Sequence, residues 1–178
     1  MAPETFREKW GYGRFATLDS ATRNRISLPD EDREFLDQVG LPVETGIYDI
    51  TFDFPSDRLL TLREVYPKKR NVPVQYADHL VLGHNDSMFL CAVPITGIVV
   101  SIDKYGEGEC VFVNSSVAKM AETVVLMRNG IAEGLAHPDE NRELLHWLQE
   151  EVIRIDPHRV PYDERLWAGM IFELSSFI

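Results

Sequence analysis

The sequence predicts an α+β fold, a mainly antiparallel β-sheet packed by N-terminal and C-terminal helices. Three observations lead there. Strand-like segments in the middle of the chain are joined by connections too short for crossover helices, so neighbours must run antiparallel. The C-terminal part carries apolar residues at helical spacing. Between the two regimes lies Phe112-Val113-Asn114-Ser115-Ser116. Upstream of it Ile98, Val100 and Ile102 alternate with Val99, Ser101 and Asp103; downstream Val117, Met120, Ala121 and Val124 recur at helical spacing. A side-chain oxygen of Asn114, Ser115 or Ser116 is placed to cap the helix that follows.

Taken in order, Glu4 to Trp10 predicts a short helix ended by Gly11, and Arg14 to Leu18 a short strand. Pro29-Asp30-Glu31-Asp32 opens a helix, because acids in a first turn complement the helix dipole. Phe35, Leu36 and Val39 form its apolar face, Gly40 ends it, and Pro42 keeps it from resuming. Tyr48, Ile50, Phe52 and Phe54 alternate with Asp49, Thr51 and Asp53, which predicts a half-buried strand followed by a turn at Pro55-Ser56-Asp57. Leu60 to Val65 reads as another strand, and Pro67 to Pro73 as a basic surface loop. His79 to Leu82, Met88 to Val93, Ile98 to Ile102 and Glu109 to Val113 form the meander. It turns at Gly83 to Asp86, Pro94 to Gly97 and Lys104 to Gly108. Three helices close the chain. One runs from about Ser115 to Arg128. One follows Pro138-Asp139, with Leu144, Leu145, Leu148 and Val152 inward. One follows Pro161, with Leu166, Trp167, Met170, Ile171 and Leu174.

The chain has 178 residues, 44% of them hydrophobic, enough for one domain over 1–178 with a proper core. It shows no repeat, low-complexity tract or interdomain linker. No apolar run is long enough to span a bilayer, and the charged stretch Met1 to Trp10 lacks a signal-peptide segment, so a cytoplasmic protein is expected. Cys91 and Cys110 lie in strand-like text and read as two buried thiols rather than a disulfide or metal site. The formal net charge of -11 repels nucleic acid and anionic membranes and attracts basic partners, although acidity also serves solubility.

Motifs for catalysis are missing. Ser115-Ser116 lacks the glycines of a nucleophile elbow and is better read as cap and first turn. His79, His84, His137, His146 and His158 show no metal-ligand helical spacing, though His79 and His84 flank a turn that could make them neighbours. Gly106-Glu107-Gly108 starts a dinucleotide motif without its third glycine, and an acid there would repel phosphate. On a strand, Asp49 and Asp53 stand roughly 13 Å apart, beyond the about 5 to 9.5 Å that glycoside hydrolysis uses. Lys68-Lys69-Arg70 is a short cluster without interleaved aromatics and reads as a solvated loop. A non-enzyme without metal or cofactor is expected; a hydrolase with a site assembled from distant segments is the remote alternative.

The order of features resembles the SUKH superfamily of bacterial immunity proteins, related to Syd and the fungal Smi/Knr proteins, and is most similar to its fourth subgroup. The residues that carry this are Trp10-Gly11, the helix end Phe35 to Pro42, Leu82-Gly83, Phe89-Leu90-Cys91 and Thr96-Gly97-Ile98-Val99. Phe112 to Ser116, Arg154-Ile155-Asp156-Pro157 and Trp167 follow. Pro94 departs from the acidic or small residue usual before the Thr-Gly turn, and Val43 to Tyr76 is not distinctive.

The resemblance implies the α+β fold and a non-enzymatic role. That role is to bind and neutralise a cognate toxin of a polymorphic or contact-dependent system, often a nuclease or nucleic-acid deaminase. A Smi/Knr-like regulatory scaffold is the alternative. A monomer is expected, facing a protein toxin with a basic surface and contacting neither nucleic acid nor membrane. Candidate partner-binding residues are the hairpin residues Asp103, Tyr105, Glu107 and Glu109, where an aromatic anchor is flanked by carboxylates, together with Asp49, Asp53, Asp78 and Asp86. Trp10 and Trp167 read as core, and Trp147 falls beside the apolar face of its helix.

Overall fold

A computed structural model describes residues 3–11, 13–18, 20–47, 49–52, 59–65, 74–105, 110–137 and 141–175. In chain order these form helix α1 (Pro3–Trp10), strand β1 (Phe15–Ala16), the single turn α2 (Ser20–Arg23), helix α3 (Asp30–Gln38), strand β2 (Leu41–Pro42) and the short helix α4 (Leu62–Val65). Strands β3 (Leu80–His84), β4 (Met88–Ala92), β5 (Val99–Asp103) and β6 (Cys110–Asn114) follow, then helices α5 (Val117–Ala136), α6 (Asn141–Ile155) and α7 (Leu166–Leu174). The fold is α+β, as the sequence predicts.

Strands β3 to β6 pair antiparallel in sequence order, and β1 pairs with β2. Alternation sends the side chains of the meander into two separate cores. Leu80, Leu82, Leu90, Ala92 and Val99 join the large cluster with Phe6, Leu36, Val124, Leu148 and Trp167. Val81, Phe89, Cys91, Val100 and Ile102 form a second cluster on the other face with Leu62, partly closed by Val65 and Tyr76. The meander is therefore apolar on both faces.

The sheet-to-helix switch is built from polar atoms. Ser116 is the N-cap of α5, its hydroxyl accepting from Lys119 N at 3.2 Å. Asp32 of α3, 2% exposed, accepts from Val117 N at 2.9 Å and also from Ala118 N. Asp156, one residue past α6 and 1% exposed, accepts from Ser115 N at 2.5 Å, Ser115 Oγ at 2.8 Å and Lys119 Nζ at 3.2 Å. Asn114 donates to Thr123 Oγ1 at 3.2 Å and accepts from Trp167 Nε1 at 2.8 Å. The buried Arg165 guanidinium donates to the carbonyls of Asp156, His158 and Val160. Gly97 adopts φ +71, and a Cβ there would overlap Asp32 Oδ2.

Several expectations are corrected. Tyr48 to Phe54 is no strand among the described residues. Asp49 turns at φ +54, Ile50 N donates to Ile47 O, and Thr51 makes only lone bridges to Glu44 and His84. Ile50 and Phe52 are buried as the alternation suggested, so the pattern reports burial rather than a ladder. The common strand face of Asp49 and Asp53 falls with it; Asp53 lies outside the described residues. Leu60 to Val65 is likewise a lone bridge at Thr61 followed by α4, because the Glu64 carboxylate accepts from Thr61 N at 2.7 Å and starts a helix. The helix expected to end near Arg128 continues to Ala136, its buried Gly130 lying against Leu148. Cys110 is exposed, since it opens the edge strand β6 before the strand runs under the helices. His79 and His84 stand at opposite ends of β3, edge-on to Tyr76 and Phe89 respectively. The Pro67 to Pro73 loop and the Pro138-Asp139 start lie outside the described residues.

Two predictions follow from the buried carboxylates. Gly97→Ala should lower unfolding free energy by about 2 kcal/mol or more, by strain and by displacing Asp32. Gly169→Ala, in α7 with open space around it, should be neutral or stabilising by up to about 1 kcal/mol. Denaturant titration of both variants checks this. Burial pushes the Asp32 carboxyl up from 3.8 to about 6, against the pull of the two α5 amides. The folded state then holds the proton more tightly, so this group's contribution to stability falls as pH rises from 3.8 to about 6. Asp156 acts in the opposite sense. Burial raises its pKa, but the Ser115 N–H and hydroxyl and the Lys119 ammonium outweigh that and hold it below the usual range. Its contribution is present above the ordinary carboxylate pKa and is lost as pH falls through the lower folded value. Unfolding curves against pH should therefore be flatter between pH 4 and 6 in Asp32→Asn than in the wild-type protein.

Candidate partner-binding surface

Two turns meet at one end of the meander. In the β3–β4 turn, Asn85 Oδ1 accepts from Ser87 N at 2.9 Å and Met88 N at 2.9 Å, closing an Asx-type turn. In the β5–β6 connection, Lys104 N donates to Ser87 O at 2.8 Å. The Lys104 ammonium donates to Asn85 O and lies 4.7 Å from the centroid of Phe89, so one side chain joins the turns. Burial lowers the Lys104 pKa, and the charge of Asp86 works against that.

The candidate residues distribute unevenly over this frame. Asp103 ends β5, and its Oδ1 accepts from Tyr105 N at 2.7 Å. That bond orders the start of the turn while Tyr105 remains 66% exposed. Asp86 is exposed in the facing turn. Thr51 and His84 exchange backbone hydrogen bonds of 2.8 and 2.9 Å in an antiparallel bridge. The exposed Asp49 stands two residues before Thr51, on the chain leading to that bridge. Asp86, Asp103 and Tyr105 thus share one end of the sheet, with Asp49 on the segment paired to it. Asp78 is elsewhere. It precedes β3 at the other end, about 17 Å along a five-residue strand, in an exposed 3.3 Å pair with Arg63. Glu107, Glu109 and Asp53 lie outside the described residues.

Other singled-out groups have structural employment. Ser115 and Ser116 serve the α5 junction, and Trp10 and Trp167 are buried. Trp147 is 45% exposed beside the apolar stripe of α6. Among the described residues no group of His, Cys, Asp and Glu could hold a metal ion, and no helix is long and apolar enough to cross a membrane. Sequence reasoning missed Lys104 as the link between the turns. Its only signal was a lone cation in an acidic hairpin.

Comparison with known proteins identifies a family. A family model described as SUKH-4 immunity protein matches residues 1–173, and the chain belongs to that family. No curated protein and no solved structure matches it. Membership supports an immunity role, exercised by binding a cognate toxin.

Lys104→Met should loosen this end of the sheet. The expected loss is about 1 kcal/mol of stability, with faster amide exchange at Ser87, Met88 and Tyr105, read by hydrogen-exchange mass spectrometry.

Proposed function

We propose that the protein, a monomeric single domain acting in the cytoplasm, neutralises a nuclease or nucleic-acid deaminase toxin by covering its nucleic-acid-binding surface. It works by binding alone. Membership of the immunity family is the observation that carries this reading. Charge and geometry support the rest. A toxin that grips nucleic acid presents basic side chains, and a chain of net charge -11 attracts them. Such steering raises association rates by roughly 10 to 10³ fold, and salt suppresses it.

The sheet end that carries Asp86, Asp103 and Tyr105, with Asp49 on the neighbouring segment, is the preferred contact. Its acids supply attraction, and Tyr105 supplies exposed aromatic area on a turn held by Lys104 and Asp103. Glu107 and Glu109, which follow in the sequence, are proposed as further acidic contacts. An ordered tyrosine loses little freedom on binding and makes an effective hot spot.

The test uses the C-terminal domain encoded by the large open reading frame adjacent to this gene. Coexpression should rescue growth, and the two proteins should copurify. The association rate should fall as salt rises. Tyr105→Ala should weaken binding about 30-fold, mainly through faster dissociation, and Asp86→Asn should slow association. Lack of rescue with no complex would sink the reading; a complex whose association ignores salt would remove its electrostatic part.

A further inference from the structure

The β4–β5 turn, Pro94 to Gly97, stands at the end of the meander opposite Tyr105. Gly97 N donates to Val93 O at 3.0 Å, and Val93 N to Ile98 O at 2.8 Å. Within this loop Thr96 N donates to Pro94 O at 2.8 Å, a three-residue γ-turn centred on Ile95 at φ +69. Positive-φ γ-turns are rare and strained. A β-branched residue is the worst suited to them, whereas Gly, Asn and Asp reach positive φ at lower cost.

The fold imposes this conformation from outside. Ile95 N donates to Ser27 O at 2.6 Å, which ties the tip to the loop before α3. Gly97 is pressed against Asp32 and Pro29 with no room for a Cβ. The side chain has no matching role within the chain, since Ile95 is 80% exposed. An isoleucine here strains its own backbone and leaves apolar area in water. Strain kept at an exposed, rigidly held apolar residue is the mark of use by something outside the chain.

We propose that Ile95 is a binding anchor that inserts into an apolar recess of the toxin. This inference rests on the toxin-binding reading above and deepens it. The tip suits that task physically. A β-branched side chain is stiff at χ1, and the loop beneath it is already ordered, so binding freezes little further motion. The charges nearby are of both signs: Arg25, Arg63, Glu64 and Asp78 line one recess with Pro94. The contact therefore adds residence time rather than steering, the complement of the acidic end.

The experiment measures binding of the full-length chain to the catalytically inactivated C-terminal domain of the adjacent open reading frame. Ile95→Asn should weaken binding by at least about tenfold through faster dissociation. Its association rate and salt dependence should be unchanged, and its thermal midpoint equal to or above wild type. If the wild-type protein binds and Ile95→Asn binds equally well, the anchor fails while the toxin-binding reading stands. If the variant's midpoint falls below wild type, the side chain serves the fold and the anchor fails. If the wild-type protein does not bind, both readings fail together.

Discussion

The first turn of α5 is where the molecule is tied together. A helix N-terminus leaves backbone N–H groups without intrahelical partners, and burying one unsatisfied costs about 1–3 kcal/mol. Here the sheet delivers the chain directly into a buried helix, so water cannot meet that need. Ser116 caps Lys119 N, Asp32 takes Val117 N and Ala118 N, and Asp156 takes Ser115 N. The carboxylates come from positions 85 and 41 residues away along the chain. Satisfying one helix start therefore requires an N-terminal helix and the end of a C-terminal helix to converge on the edge of the sheet.

The two carboxylates solve the same problem with opposite electrostatic outcomes. Asp156 has Lys119 Nζ at 3.2 Å and a hydroxyl in addition to an amide, so its charged form is favoured despite burial. Asp32 has only amides to offset burial, and desolvation prevails. Around Asp156 a further layer of donors secures α7. Trp167 reaches Asn114, and Arg165 spends its donors on three backbone carbonyls while its guanidinium sits 5.7 Å from the Phe112 ring. His158 stacks on the other partner of that contact, Phe112, at 4.4 Å. One buried polar assembly thus serves sheet, helix start and C-terminal helix together.

Much of this was legible in the amino-acid pattern, and what was missed has a physical reason. The meander and helices announced themselves because their periodicities are local. The segment read as a strand from Tyr48 to Phe54 did not, because alternation records which side chains are buried and is silent on φ at Asp49. Thr61-Leu62-Arg63-Glu64 carried a capping signal that outweighed its strand-like composition. The buried acids Asp32 and Asp156 could have been found by stripe. Asp32 continues the inward positions Phe35, Leu36 and Val39 at helical spacing, and Asp156 continues Leu148 and Val152. An acid on an apolar stripe must have buried partners, but which amides it meets depends on contacts dozens of residues away. Of the candidate partner-binding acids, Asp86 was named apart from Asp103, although the antiparallel order β3-β4-β5 puts their turns at one end of the sheet. The separation of Asp78 required the strand register.

Several of the residues that carry the family resemblance are, in this chain, residues of the fold. Gly83 lies against Phe52, Gly97 against Asp32, and Asn114, Ser115, Asp156 and Trp167 form the polar assembly. None of these is free to meet a partner without loosening the helix start it supports. The exposed ends of the meander answer to the opposite condition. Tyr105 and Ile95 project from turns whose backbone is held by other residues, so side chains there can change without touching either core. The proposed mode of action uses this division of labour, with recognition on rigid turns and stability kept beneath them. It also explains why a sequence can state its family clearly while leaving its partner unnamed.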